Sequence, residues 1–253
     1  MKMHILSGGK LRMNRSVYYP EAQKGEKVEL PVNCVLLRHA RGNVLFDTGC
    51  HPSVIDDAEG RWGAMARAML PVMDRNDTLI AELARLDLSP LDIDIVINSH
   101  YHSDHCGCNE FFRRATFFVH EAEFNRVHEP DAIKLGYIPA DWDHPMPLKQ
   151  FVEQTDIFGD DRIVLVPLPG HTPGMSGAIV NLDKSGSFLL ASDAVSVREN
   201  LDRETIPRTT WDANVLMGSL AEIKRIENSG ATVICGHDSA QWLALKTGIQ
   251  FYD

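Results

Sequence analysis

No stretch of this chain approaches the ~20 consecutive apolar residues that a membrane-spanning helix needs. Its first residues, Met1-Lys2-Met3-His4-Ile5-Leu6, lack the apolar core of a secretion signal. Positive charge is short: 25 Lys and Arg stand against 35 Asp and Glu, a formal net charge of −10. With no basic surplus to neutralise phosphates, no nucleic-acid partner is expected. Cysteine is scarce and odd in number, five residues spread from Cys34 to Cys235. A disulfide framework is therefore not expected, and a reducing cytoplasm is the natural setting. Three catalytic signatures are missing as well: the G-x-S-x-G elbow of serine hydrolases, the phosphate-cradling P-loop and the G-x-G-x-x-G of dinucleotide enzymes. No low-complexity linker interrupts the 253 residues, so one domain over 1–253 is expected.

What is present is concentrated. The run Ile93-Asp94-Ile95-Val96-Ile97 reads as a buried strand. Directly behind it, His100-Tyr101-His102-Ser103-Asp104-His105 packs three histidines and an aspartate into six positions. Imidazole and carboxylate are the donors of zinc and similar divalent ions, and loops at the C-terminal ends of strands are where open sheets hold their chemistry. Cys106, Cys108 and Cys235 are expected as small buried side chains rather than ligands.

Along the rest of the chain, residues 1–9 read as a first strand ending in a glycine turn and residues 10–31 as an irregular polar arm. Asn33–Arg38 and Asn43–Phe46 form a predicted hairpin. The Asp47 that follows suits either capping of backbone amides or support of a metal ligand from behind. Residues 61–86 carry a helical pattern in which Met65, Met69 and Met73 recur every fourth position, as a core stripe, a flexible pocket wall or part of a homodimer interface, and in which Asp77 or Thr78 caps a next helix that buries Leu79, Ile80, Leu83 and Leu86. Thr116–Val119 reads as a strand, Glu121–His128 as a helix, and 129–150, rich in proline and aromatics, as a long ordered loop. Arg162–Val166 is a strand that delivers Gly170-His171-Thr172-Pro173-Gly174. Ala178–Leu182 and Ser187–Ala191 form a hairpin that ends in Ser192-Asp193. Trp211–Asn228 is an amphipathic helix, and Thr232–Cys235 a last strand before Gly236-His237-Asp238. His51 and His120 are expected in supporting or surface roles; Arg198 and Arg203 are either anion binders or ordinary exposed arginines.

Strand-end loops thus offer His100, His102, Asp104, His105, His171, Asp193 and His237. Seven donors exceed one tetrahedral zinc and suit two divalent ions roughly 3.5–4 Å apart. Such a pair lowers the pKa of a bridging water from ~15.7 towards ~7, so hydrolysis proceeds without a serine or cysteine nucleophile. Zinc fits the donors; iron, manganese and cobalt fit them too.

This ordered set, from Asp47-Thr48-Gly49 through the His100–His105 cluster and Gly170-His171-Thr172-Pro173-Gly174 to Asp193 and His237, resembles the metallo-β-lactamase superfamily. Within it, Leu30-Pro31-Val32, Leu45-Phe46-Asp47-Thr48-Gly49-Cys50 and Gly236-His237-Asp238 are similar to N-acyl homoserine lactonases. The resemblance implies an α+β fold, a four-layer αββα sandwich with a dinuclear metal site at one edge of the two sheets. It implies that His100, His102 and His171 hold one ion, that Asp104, His105 and His237 hold the other, and that Asp193 bridges them. It also implies that Asp104 carries a proton to the leaving group, that the substrate is a small-molecule lactone, and that the protein is a homodimer. One departure stands out. Such lactonases place a substrate-contacting tyrosine three positions after the bridging aspartate, where this chain has Ser196; Tyr18, Tyr101 and Tyr137 are the candidates to replace it. The alternatives keep the metal site and change the substrate to another ester, a thioester of the glyoxalase II kind, or a phosphoester. A flavoprotein-type oxidoreductase or a non-catalytic sensor would require altered ligands or a further domain, and neither is evident.

Overall fold

Alternating burial along two long strands sets the architecture. In the computed structural model, which describes residues 1–253, β1 (Lys2–Asn14) and β2 (Lys27–His39) pair antiparallel. On β2, Val35 and Leu37 face one core while Cys34 and Leu36 face another, the pattern of a strand covered on both sides. β3 (Gly42–Phe46), β4 (Leu70–Pro71), β5 (Ile95–Ile97), β6 (Thr116–His120) and β7 (Leu148–Phe151) complete a seven-stranded sheet in the order β4-β1-β2-β3-β5-β6-β7. β8 (Thr155–Asp156), β9 (Ile163–Pro167), β10 (Ser176–Leu182), β11 (Gly186–Ser192) and β12 (Thr232–Cys235) form a second, five-stranded sheet in the order β12-β11-β10-β9-β8.

The sheets face each other across a core in which Ile5, Val35, Leu37 and Phe46 meet Leu165, Val180, Leu190 and Ile234. Helices cover the outer faces. On the first sheet lie α1 (Val54–Trp62), α2 (Leu79–Arg85), α3 (Ser103–Cys106), α4 (Glu121–Val127) and α5 (Pro139–Trp142). Leu79 and Leu83 of α2, whose start is capped by Thr78, pack on Leu6, Leu36 and Leu45. On the second lie α6 (Arg198–Asp202) and α7 (Ala213–Asn228), while α8 (Ser239–Ala244) lies against β2 with Trp242 on the core between the sheets. α7 presents Leu216, Leu220, Ile223 and Ile226 to Val166, Leu189 and Val233. Each such side chain contributes roughly 1.5–3 kcal/mol on burial, which holds an amphipathic helix that would be marginal alone. The layers run αββα, as the resemblance implied.

Three expectations fail locally. Residues 10–31 are not one irregular arm: β1 runs on to Asn14 and β2 starts at Lys27. A register shift between Ser7 and Lys10, with Gly9 at φ +126°, lets β1 continue. Beyond it Leu11 and Met13 are buried while Lys10, Arg12 and Asn14 face out, an alternation hidden among charges. In residues 61–86 the second helix starts where expected, as α2 behind Thr78, but the stretch before it is not one helix. Gly63 (φ +57°) closes α1 in a conformation open chiefly to glycine, and short turns and β4 precede α2. The three methionines share no helix face, yet Met69 and Met73 meet in one cluster with Met13 and Trp62, and Met65 packs against it. Residues 129–150 contain α5 and the start of β7, the latter parallel to β6.

This topology fixes one edge. β3 and β5 are parallel, β11 and β12 are parallel, and β9 and β11 both run antiparallel to β10. The loops after β3, β5, β9, β11 and β12 carry Asp47, His100, His171, Asp193 and His237 respectively.

Candidate metal centre

His100 leaves β5 in the loop Asn98–Tyr101, and His102 is the N-cap residue of α3, so Asp104 and His105 sit in that helix's first turn. The amide of Thr48 donates to the His105 carbonyl at 2.7 Å. Paired bonds between Asn98 and Asn109 tie the loop's ends together. From the other sheet, His171 follows Gly170, whose φ of +136° and contact with the Leu216 backbone leave no room for a Cβ. Asp193 follows Ser192, and the His237 amide donates to the Ser196 carbonyl at 2.7 Å. Asp47 and Ser192, at φ +59° and +44°, are non-glycine residues in the left-handed region. Both lie against the site, where such strain collects.

All seven sequence-predicted side chains converge. Nε2 of His100 and Nε2 of His171 each lie 3.0 Å from Nδ1 of His102. Nε2 of His105 is 3.3 Å from Nε2 of His237, and each is 3.5 Å from Oδ2 of Asp104. Asp193 stands between the two groups. Its Oδ1 is 3.0 Å from His237 Nε2 and 3.8 Å from His105 Nε2; its Oδ2 is 3.4 Å from His171 Nε2. The donor atoms of His100, His102 and His171 lie within 4.8 Å of one another, as do those of Asp104, His105 and His237.

These residues fit divalent ions on three observations. First, the far sides of three of the rings are anchored. His105 donates from Nδ1 to Asp47 Oδ2 at 2.9 Å, His237 donates from Nδ1 to the Pro31 carbonyl at 2.8 Å, and Nδ1 of His100 meets Ser99 Oγ at 3.0 Å. Such anchoring fixes the tautomer and turns the other nitrogen inward as a donor. Second, Asp193 Oδ1 is buried with no hydrogen bond of good geometry, although His237 Nε2 is near. Third, burial and the neighbouring imidazoles hold His100 and His102 well below the ordinary histidine range, in the neutral form that ligates. At His105 burial works against charge, but Asp104, Asp193 and Asp47 outweigh it and push the ring up to about 10. At Asp193 burial is likewise outweighed, by His237 and His105, so its carboxyl lies well below the carboxylate range. Three buried carboxylates (Asp47, Asp104, Asp193) therefore call for positive charge at this point.

The site opens into a cleft of about 500 Å³, with His102, Asp104, His171 and Asp193 in its lining together with Met13, Met65, Met69 and Trp211. Of the methionine segment, Met65 and Met69 reach the cleft wall, while Met73 stays in the core cluster that Met69 also joins. Tyr18 and Tyr137 line the cleft; Tyr101 does not, and instead lines a separate cavity of about 110 Å³ beside Trp142. Ser196 is buried and outside the cleft lining. Cys106 is buried and donates to the Tyr101 carbonyl. His51 contacts Glu110 at 2.9 Å, and His120 caps α4. Arg198 is held by Glu227 and Asp202, and Arg203 by Glu199 and Glu21. The cations at the cleft are instead Arg126, Lys134 and Arg208.

One organising residue gave no local signal. Glu123 of α4 is fully buried; its Oε1 accepts from the Tyr101 amide at 3.0 Å and its Oε2 from the Gly174 amide at 3.1 Å. It ties the loop between His100 and His102 to the loop after His171. Burial pushes its carboxyl up, although Thr172, the two amides and Tyr137 pull the other way.

A family model described as the metallo-beta-lactamase superfamily matches residues 28–237. The chain is 30% identical to N-acyl homoserine lactonase AttM of Azorhizobium caulinodans, over all of this chain and 99% of that one. It is 28% identical to an N-acyl homoserine lactonase of Bacillus thuringiensis, over 95% of this chain and 94% of that one. Among solved structures it superposes with a TM-score of 0.89, at 24% identity, on an N-acyl homoserine lactone hydrolase with N-hexanoyl-L-homoserine bound at its catalytic metal centre; the match covers 99% of this chain and 98% of that one.

Proposed function

The chain belongs to the metallo-β-lactamase superfamily, and from that membership we propose that it is a metal-dependent hydrolase that opens a lactone ring, of the N-acyl homoserine lactone type. The donor set and the cleft it opens into carry this reading: Asp193 turns one oxygen to each of two ligand groups beside a wall of Met13, Met65 and Met69. The full-length relatives named as N-acyl homoserine lactonases support the lactone.

In this reading His100, His102 and His171 hold one divalent ion, Asp104, His105 and His237 hold a second, and Asp193 is shared. Zinc suits these nitrogen and oxygen donors. When bound, the ions supply hydroxide at neutral pH and polarisation of the scissile carbonyl. The chain's own residues do the rest. Asp104 lines the cleft beside His105 and His237 and moves a proton to the ring oxygen as it leaves. The hydroxyl contact missing at Ser196 falls to groups already in the cleft. Tyr18 is the better placed: its hydroxyl has only the thioether of Met13 at 3.6 Å as partner, a weak acceptor that leaves its proton for a substrate carbonyl. Burial keeps that hydroxyl protonated. The methionine wall receives the acyl chain. Five buried thiols, none of them in a disulfide, suit a reducing compartment, and no helix is long and apolar enough to cross a membrane.

The deciding experiment presents acyl homoserine lactones, simple lactones, thioesters and phosphoesters to metal-loaded protein at neutral pH. Lactone opening is the expected result, abolished in His102→Ala and Asp104→Asn with the fold retained. Turnover of a thioester or phosphoester alone would remove the lactonase reading.

A further inference from the structure

The cleft that receives the substrate carries three cations, two of which no acid in the protein neutralises. Arg126 lies on α4, Lys134 in the turn Ala132–Leu135, and Arg208 between α6 and α7, so three separate segments bring positive charge to one opening. This occurs in a chain of net charge −10. Outside the cleft some exposed arginines are matched, Arg12 with Glu29, Arg162 with Asp183 and Arg225 with Glu222, while Arg38, Arg113 and Arg114 are exposed without an ion pair but lie outside the cleft lining. At the cleft only Arg126 has an acid, the exposed Asp131 at 2.8 Å; Lys134 and Arg208 are exposed and take part in no ion pair. The acids in the cleft lining are Asp104 and Asp193, both engaged with His105 and His237. They are committed to the metal centre.

The same lining, among its hydroxyl side chains, also presents apolar ones: Met13, Met65, Met69, Leu135 and Trp211. Leu135 and Trp211 are about half exposed, at 49% and 53%. A neutral acyl chain would cover this surface and leave Lys134 and Arg208 with nothing to meet. A chain that passes along the methionines and ends in an anion would satisfy both. We propose that the substrate is an amphiphilic acyl lactone bearing an anionic group, such as a carboxylate, at the end of its acyl chain remote from the scissile carbonyl. The inference deepens the lactonase reading and rests on it. Because both side chains are exposed, the gain comes less from a tight ion pair than from steering of the anion into the cleft, an effect that salt screens.

The test uses metal-loaded protein and two N-acyl homoserine lactones of equal chain length, one ending in a methyl group and one in a carboxylate. Their kcat/KM values are compared at low and high salt, in wild type and in a Lys134→Glu/Arg208→Glu double variant. Exposed and unpaired positions tolerate such changes, and circular dichroism checks the fold. The expected result is a preference for the carboxylate of about ten-fold at low salt. It shrinks at high salt and inverts in the double variant. If wild type opens both lactones equally well, or if the preference survives salt and charge reversal, the inference is overturned and the lactonase reading stands. If neither lactone is opened, the lactonase reading falls and this inference falls with it.

Discussion

Asp47 braces His105 from behind: its Oδ2 accepts from His105 Nδ1 at 2.9 Å, while Oδ1 accepts from the Ser99 amide at 2.7 Å. The carboxylate therefore does both things its position allowed, bracing the His105 ring from behind and satisfying a loop amide. Asp47→Asn keeps the shape and removes the charge. Loss of such a partner typically weakens metal affinity about 10–100-fold. Chelator competition should show that loss with an unaltered circular dichroism spectrum. Equal affinity in the variant would reduce Asp47 to a backbone brace.

Glu123 accepts one backbone amide on each oxygen. Glu123→Gln has nearly the same volume, but its NH₂ must face one of those amides. Relief of the buried charge favours the variant; the lost acceptor and the orphaned N–H oppose it. We expect the second to win, at about 1–3 kcal/mol for an unsatisfied buried donor, which is about 2–12 °C in Tm for a chain of this size. Because the two amides flank His102 and follow His171, metal retention should fall as well. A lowered Tm with undiminished metal content would make Glu123 a stabilising residue only.

Gly170 has φ +136°, and a Cβ there would strike the backbone of Leu216 in α7. Gly186, at φ +79° in the β10–β11 hairpin, has open space around the same position. The two alanine variants separate backbone strain from collision. Gly186→Ala should cost about 1 kcal/mol. Gly170→Ala adds overpacking of about 1–3 kcal/mol and should move His171, so its bound metal should drop too. Matching thermal and metal-content losses in the two variants would refute the contact with Leu216.

The contrast between these residues shows what was legible in the sequence. His100, His102, Asp104 and His105 lie close together after a β-branched strand, and His171, Asp193 and His237 each end an apolar run, so local pattern sufficed to pick the side chains that the fold brings together. Asp47 was visible for the same reason. Glu123 looks like any acid on a surface helix; only the tertiary fold buries it between two loops. Lys134 and Arg208 are 74 positions apart, and no local pattern announces that they share a cleft. Polar alternation hid the second half of β1, and one left-handed glycine, Gly63, broke a helix that periodicity would have continued. Patterns along the chain find residues that act through their neighbours in sequence. Residues that act across the fold need coordinates.

Removal of the metals should cost stability as well as activity. The three buried carboxylates and five buried or half-buried imidazoles of the centre converge in groups that could hold a cation. An ion that binds only the folded state stabilises it by about 4 kcal/mol when present at a thousand times its dissociation constant. For a chain of this length each kcal/mol moves Tm by about 2–4 °C, so the saturated protein should melt roughly 8–16 °C above the chelated one for a single tight ion. Differential scanning calorimetry with and without chelator, paired with metal analysis, measures this. Two equivalents per chain with a rise on that scale is the expected result. One equivalent, with Asp193→Asn retaining it fully, would mean that Asp193 does not join two ions and that the centre is mononuclear.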